Sequence, residues 1–123
     1  MASKMYILIK DSVDLGHAIN AAAHASLSGY LTFINTPVGK DSLKDKFSHN
    51  LIQLRTNEWA TNSFKKVVCK VTLDEFEKAK TYGKNMVDYR IMTESSLSDE
   101  EVAIVFAPKE EWENFFKFLK LYR

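Results

Sequence analysis

With 123 residues, 46% of them hydrophobic, the chain fits one domain spanning residues 1–123, enough to bury a core between helices and strands and too short for a second domain. Seventeen basic residues against sixteen acidic leave a net charge of +1, so no global field attracts a polyanion, and nucleic acid would need a local basic patch. The single cysteine, Cys69, lies in an apolar segment and reads as a buried structural thiol, while the apolar run at residues 5–9 is too short for a signal-peptide core or a membrane span; a soluble cytoplasmic protein with no membrane contact is expected.

Residues 5–9 are dense in β-forming side chains and stop at Lys10 and Asp11, which predicts a first strand inside the sheet, buried on both faces. From Leu15 to about Phe33 the chain is rich in Ala and Leu and predicts a long helix, with Ser12 or Asp14 accepting from an otherwise unpaired N–H at its start. Its Ala18, Ala21, Ala22, Ala23 and Ala25 allow close approach to a sheet or to a second subunit. From Asn35 to Asn62 the pattern is weak: Pro37 and Gly39 mark a turn, residues 40–49 allow a short helix, and residues 51–54 extend or curl. Residues 64–72 predict a second strand, with Val67, Cys69 and Val71 on one face and Lys66, Val68 and Lys70 on the other. A helix then begins at Thr72 or Asp74, sets Leu73, Phe76, Ala79 and Lys80 at helical spacing, and ends at Gly83. A third strand is predicted over residues 86–92, a polar loop over 93–101, and a fourth strand over 102–107 that Pro108 ends. Pro108 suits the start of a last helix, whose apolar stripe is Trp112, Phe115, Phe116 and Leu119. Strands alternating with helices define an α/β fold: three α/β/α layers around a four-stranded mixed sheet.

Met5-Tyr6-Ile7-Leu8-Ile9-Lys10-Asp11, followed by Leu15-Gly16-His17-Ala18-Ile19-Asn20-Ala21-Ala22-Ala23-His24-Ala25, resembles the opening of the type 2 (archaeal and eukaryotic-type) peptidyl-tRNA hydrolases. There a strand ends in Arg or Lys plus Asp, and Gly-Lys begins an Ala-rich helix carrying Gln-x-x-His-Ala; Gly16, His24 and Ala25 match that pattern. Phe64-Lys65-Lys66-Val67-Val68-Cys69-Lys70-Val71, Ala107-Pro108 and the ending Leu119-Lys120-Leu121-Tyr122 are similar to later parts of the family. The resemblance implies the family's fold, tRNA or peptidyl-tRNA as partner, and a site-lining place for His24. It breaks where His17 replaces the family's Lys and Ala21 its Gln; Asp88-Tyr89-Arg90 is the nearest counterpart of its Asp-Ala-Gly-Arg-Thr motif, with Thr93-Glu94-Ser95 the other position.

His17, Ala21 and His24 follow i, i+4, i+7 spacing and form one stripe of the first helix. The two histidines are roughly 10 Å apart along the axis, too far for both to reach one zinc easily, so neither a metal nor another cofactor is expected. A neutral His17 imidazole suits proton abstraction from water, and an exposed helix-start histidine fits the same residue. His24 reads equally as a buried histidine satisfied by backbone. Asn20 offers hydrogen bonds to a substrate or is an ordinary exposed residue. Asp88 and Arg90, two apart on a strand, form an ion pair or orient a water, and Asp11 lies beyond the carboxyl end of the first strand, where α/β folds place sites and where turns place caps. Lys40, Lys44 and Lys46, with Lys65, Lys66 and Lys70, are the basic clusters available to phosphates, while Asp99-Glu100-Glu101 and Glu110-Glu111 repel them. The foremost expectation is a binding or dimerisation module on the hydrolase scaffold, with a homodimer as its assembly. The alternative is a peptidyl-tRNA hydrolase with catalytic His17, His24 and Asp88, substrate-binding Asp11, Asn20 and Arg90, water activated near His17, and Asp88 or Glu94 as acid.

Overall fold

Five consecutive apolar residues make β1 (Lys4–Lys10) the centre of the molecule, because a strand with no polar face must be covered on both. The computed structural model describes residues 3–34, 43–84 and 89–122. After β1 come α1 (Leu15–Ile34), α2 (Leu43–Thr61), β2 (Lys65–Val71), α3 (Leu73–Lys84), β3 (Tyr89–Glu94), β4 (Glu100–Lys109) and the one-turn α4 (Asn114–Lys117). The sheet order is β2-β1-β4-β3, with β1 parallel to β2 and β4 antiparallel to both β1 and β3. The fold is therefore mixed α/β around a four-stranded mixed sheet.

Alternation along β1 divides the interior in two. Met5, Ile7 and Ile9 meet Ala18, Ala21, Ala25 and Phe33 of α1 and Ile52 and Trp59 of α2. Tyr6 and Leu8 meet Cys69, Val71, Phe76, Ala79, Trp112 and Phe116 on the opposite face. Small residues bring α1 down onto β4: a Cβ added at Gly29 would stand 3.0 and 3.2 Å from the Val105 methyls. Cys69 has no exposed surface, and burial pushes its thiol up to about 11, so it is packed and unreactive.

Several boundaries differ from expectation: β3 spans Tyr89–Glu94 where residues 86–92 were expected, with 86–88 outside the described residues, and β3 and β4 (Glu100–Lys109) take up both ends of the expected polar loop. Residues 43–61 form one long helix in place of a short helix and an ambiguous run, and residues 35–42, with the turn expected at Pro37 and Gly39, lie outside the described residues. Of the two expected starts for α3, Thr72 is the cap: its Oγ1 accepts from the Glu75 N–H at 3.1 Å while Glu75 accepts from the Thr72 N–H at 2.8 Å, a reciprocal capping box. α3 runs past Gly83, which packs against the Tyr89 ring rather than ending the helix, and Leu73 is exposed. β4 continues through Pro108 to Lys109; the pairing with β1 shifts register between Lys4 and Tyr6, and such an irregularity is where a residue lacking an N–H fits a strand. The last helix is a single turn, although Trp112, Phe116 and Leu119 are buried as the stripe required.

Candidate functional site

Asp14 precedes α1, and its carboxylate accepts the His17 backbone N–H at 3.0 Å, satisfying one of the free donors of the first turn. The same carboxylate lies 2.7 Å from His17 Nδ1. Across the molecule, β3 ends in a 3-10 turn (Ser95–Leu97), closed by Ser98 and Asp99 with left-handed φ of 57° and 59°. That turn places Ser96 Oγ 3.1 Å from His17 Nε2, and Ser96 Oγ donates to Glu94 Oε1 at 2.8 Å.

The partners of the two ring nitrogens favour the charged form of the ring. Asp14 only accepts, so Nδ1 carries a proton; Ser96 has one proton and gives it to Glu94, so Nε2 donates to Ser96. An imidazolium satisfies every contact. The hydrogen bond to Asp14, reinforced by the Asp14 and Glu94 charges, raises the His17 pKa above its ordinary 6.5. In return, the His17 backbone and ring bonds hold Asp14 below the usual carboxylate range. The Ser96 hydroxyl and backbone N–H lower Glu94, with the His17 charge and the Asn20 amide adding to them. The clasp therefore links Asp14, His17, Ser96 and Glu94, each shift favouring ionised carboxylates and a charged ring.

From this clasp an open groove runs between α1 and β3. A cleft of about 360 Å³ is bounded by Asn20, His24, Ser28, Arg90, Glu94 and Asp99. It continues past His24, Ser28 and Arg90 into a depression of about 380 Å³ bounded also by Leu27, Leu31 and Thr32. Arg90 Nη1 donates to Thr32 Oγ1 at 2.9 Å, linking strand and helix at the far end. Another depression of similar size lies where α2 meets the end of β4, among Arg55, Glu58, Lys109 and Glu110, and contains no histidine.

The structure brings His17, Asn20 and Glu94 together and sets His24 and Arg90 farther along one groove. Ala21 is buried beneath the stripe. Asp88 lies outside the described residues. Asp11 is exposed at the turn after β1, where its N–H donates to the Val71 carbonyl at 2.7 Å, and it does not border the groove. Ser96, absent from the sequence-based candidates, and Asp14, read there only as a cap, complete the clasp. Asp14 and His17 carried a local signal in their three-residue spacing at a helix start; Ser96, 79 positions from His17, carried none.

Two lysines of the basic clusters rest on aromatic rings. Lys66 Nζ stands 3.4 Å over the Phe64 ring and 5.3 Å over Trp59, and Lys70 lies 5.3 Å over Tyr122. Lys40 and the side chains of Lys44 and Lys46 lie outside the described residues. Among the described residues no three His, Cys, Asp or Glu side chains are grouped to hold a metal ion, and no helix is long and apolar enough to cross a membrane. No protein-family model matches the chain, and no curated protein sequence matches it.

Proposed function

We propose that this chain is a relative of the type 2 peptidyl-tRNA hydrolases that works as a binding module through the groove between α1 and β3, and does not hydrolyse peptidyl-tRNA. The observation that carries this reading is the double tether of His17: both ring nitrogens are held, by Asp14 and by Ser96, and the neighbouring carboxylates favour the charged ring. A charged ring has no lone pair with which to take a proton from water. It restores the positive charge that the resemblance gives to a Lys at this position, but directs both donors to groups of the same chain. Glu94 and Asp99 then line the cleft with negative charge, against Arg90 at its other end, a field that opposes a phosphodiester backbone.

The measurement that tests this reading is release of labelled peptide from peptidyl-tRNA at high protein concentration, with His17→Ala as control. No turnover above the control is expected, together with weak tRNA binding at low salt. Turnover lost in His17→Ala would contradict it.

A second reading is favoured by the order Asp14, His17, Ser96, in which a carboxylate orients an imidazole toward a hydroxyl. A hydrolase built on it would reverse the expected roles. Glu94, lowered and ionised, is the group able to take a proton from water, and the His17 imidazolium is the group able to give one to a leaving oxygen.

A further inference from the structure

We propose that Ser96 is a nucleophile for acyl transfer, with His17 as its base and Asp14 as the carboxylate that orients the ring, and that the site takes small uncharged carboxylic esters. This goes beyond the binding function above, which concerns peptidyl-tRNA and a charged ring. Three parts of the fold carry it. Asp14, before α1, lies 2.7 Å from His17 Nδ1; His17 Nε2, in the first turn of α1, lies 3.1 Å from Ser96 Oγ; and Ser96 is exposed on the turn after β3. Carboxylate, imidazole and hydroxyl stand in this order in serine hydrolases of unrelated folds, where geometry rather than chain position defines the relay.

The turn that aims the serine is strained. Among the described residues three non-glycine residues have positive φ, and two of them, Ser98 and Asp99, are consecutive and close this turn, where the Asp99 N–H donates to the Glu94 carbonyl at 3.0 Å. Left-handed backbone imposed by its surroundings gathers where side chains must be aimed, and here it sets Ser96 against His17.

One proton decides when the relay works. With the ring charged, Nε2 donates to Ser96, the hydroxyl donates to Glu94 at 2.8 Å, and the imidazole has no lone pair to offer. With the ring neutral, Asp14 keeps the proton on Nδ1 and Nε2 turns its lone pair to the hydroxyl. Oγ then bonds to the ester carbon while its proton passes to Nε2; the C–O bond to the alcohol breaks, and the alcohol oxygen takes that proton. Water repeats the sequence on the acyl-serine: its oxygen bonds to the acyl carbon, its proton passes to Nε2, and the acyl–Oγ bond breaks as Oγ recovers the proton. Ester and water thus leave as acid and alcohol. The charged groups facing the ring are Asp14 before α1 and Glu94 at the end of β3; both favour the imidazolium, so activity rises as the pH climbs through the titration of the ring.

Substrate class follows from the adjoining cleft of about 360 Å³, bounded by Asn20, Glu94, Ser95 and Asp99 and lined also by Ala21 and Val102. The two carboxylates disfavour an anionic ester and a nucleic-acid backbone, and the apolar side chains accept a short acyl chain. The Asn20 amide, one turn after His17, is the side-chain donor available to the developing oxyanion.

An uncharged fluorophosphonate is the probe, because a relay serine displaces its fluoride and stays labelled. Intact-mass spectrometry and peptide mapping of the full chain at pH 6 and pH 9 are expected to show one adduct, on Ser96, forming about tenfold or more faster at pH 9. It is expected to vanish in Ser96→Ala, to slow about tenfold or more in His17→Ala, and in Asp14→Asn to form more slowly with its pH midpoint moved down. Hydrolysis of p-nitrophenyl acetate above the Ser96→Ala background is the matching turnover. A wild type unlabelled by excess probe at pH 9, an adduct only on another residue, Ser96 labelling indifferent to His17→Ala, or labelling without turnover would each overturn the proposal. An unlabelled chain leaves the binding reading standing; His17-dependent release from peptidyl-tRNA at pH 5.5 to 6.5 overturns that reading and not the label.

Discussion

His17 sits where a cation is ordinarily unwelcome, because the N-terminus of a helix carries partial positive charge. Its charge depends on the adjacent carboxylates, and the pH dependence follows from the direction of each shift. A group whose pKa is raised on folding stabilises the fold fully below its unfolded value, here 6.5, and loses that contribution as the pH climbs through the higher folded value. Asp14 and Glu94 are lowered, so their contributions are present above their ordinary values of 3.8 and 4.5 and are lost as the pH falls through the depressed ones. The clasp is fully formed between about pH 4.5 and 6.5 and loosens above this window as the ring deprotonates. An NMR titration of the His17 ring is expected to show a midpoint above 6.5 that falls in Asp14→Asn; a midpoint at or below 6.5 in the wild type would remove the basis for a charged ring. Gly83 is a second position where one residue decides a contact. A Cβ there would stand 2.6 to 2.9 Å from atoms of the Tyr89 ring, so Gly83→Ala forces the ring or α3 to move, at a cost of about 1–3 kcal/mol in chemical denaturation. Unchanged stability would mean that the ring moves freely.

At the scale of elements, legibility tracked the density of apolar residues. β1 was readable because residues 5–9 are all apolar, and β2 because its two faces alternate as Val67, Cys69 and Val71 against Lys66, Val68 and Lys70. α2 escaped because its described buried face consists of Ile52, Thr56 and Trp59, whose spacing is helical but whose middle member is a threonine; Thr56 is buried by donating its hydroxyl to the Ile52 carbonyl at 2.8 Å. The Pro108 signal was ambiguous by nature, since an absent N–H suits a helix start and an irregular strand equally. α3 owes its start to the Thr72 and Glu75 pair, and Thr72→Ala is expected to cost about 1 kcal/mol, seen as a fall of a few degrees in Tm. An unchanged Tm would show that packing of Phe76 and Ala79 alone fixes the helix.

Over the whole molecule, the sheet order brings together what the sequence keeps apart. β3 and β4 return the chain to α1, so that Ser96 meets His17 and Arg90 meets Thr32. Half of the clasp was legible, in His17 and in Glu94 as an alternative acid; the other half required the turn after β3, whose serines carry no pattern of their own. The family resemblance drew attention to α1, which carries His17, while the contacts of His17 differ from the chemistry that the resemblance implies. Peptide release from peptidyl-tRNA, followed from pH 5.5 to pH 9 for the wild type and His17→Ala, tests this most directly. The expected result is no His17-dependent release from pH 5.5 to 6.5, where the ring is charged, and release in that window that disappears in His17→Ala would contradict it.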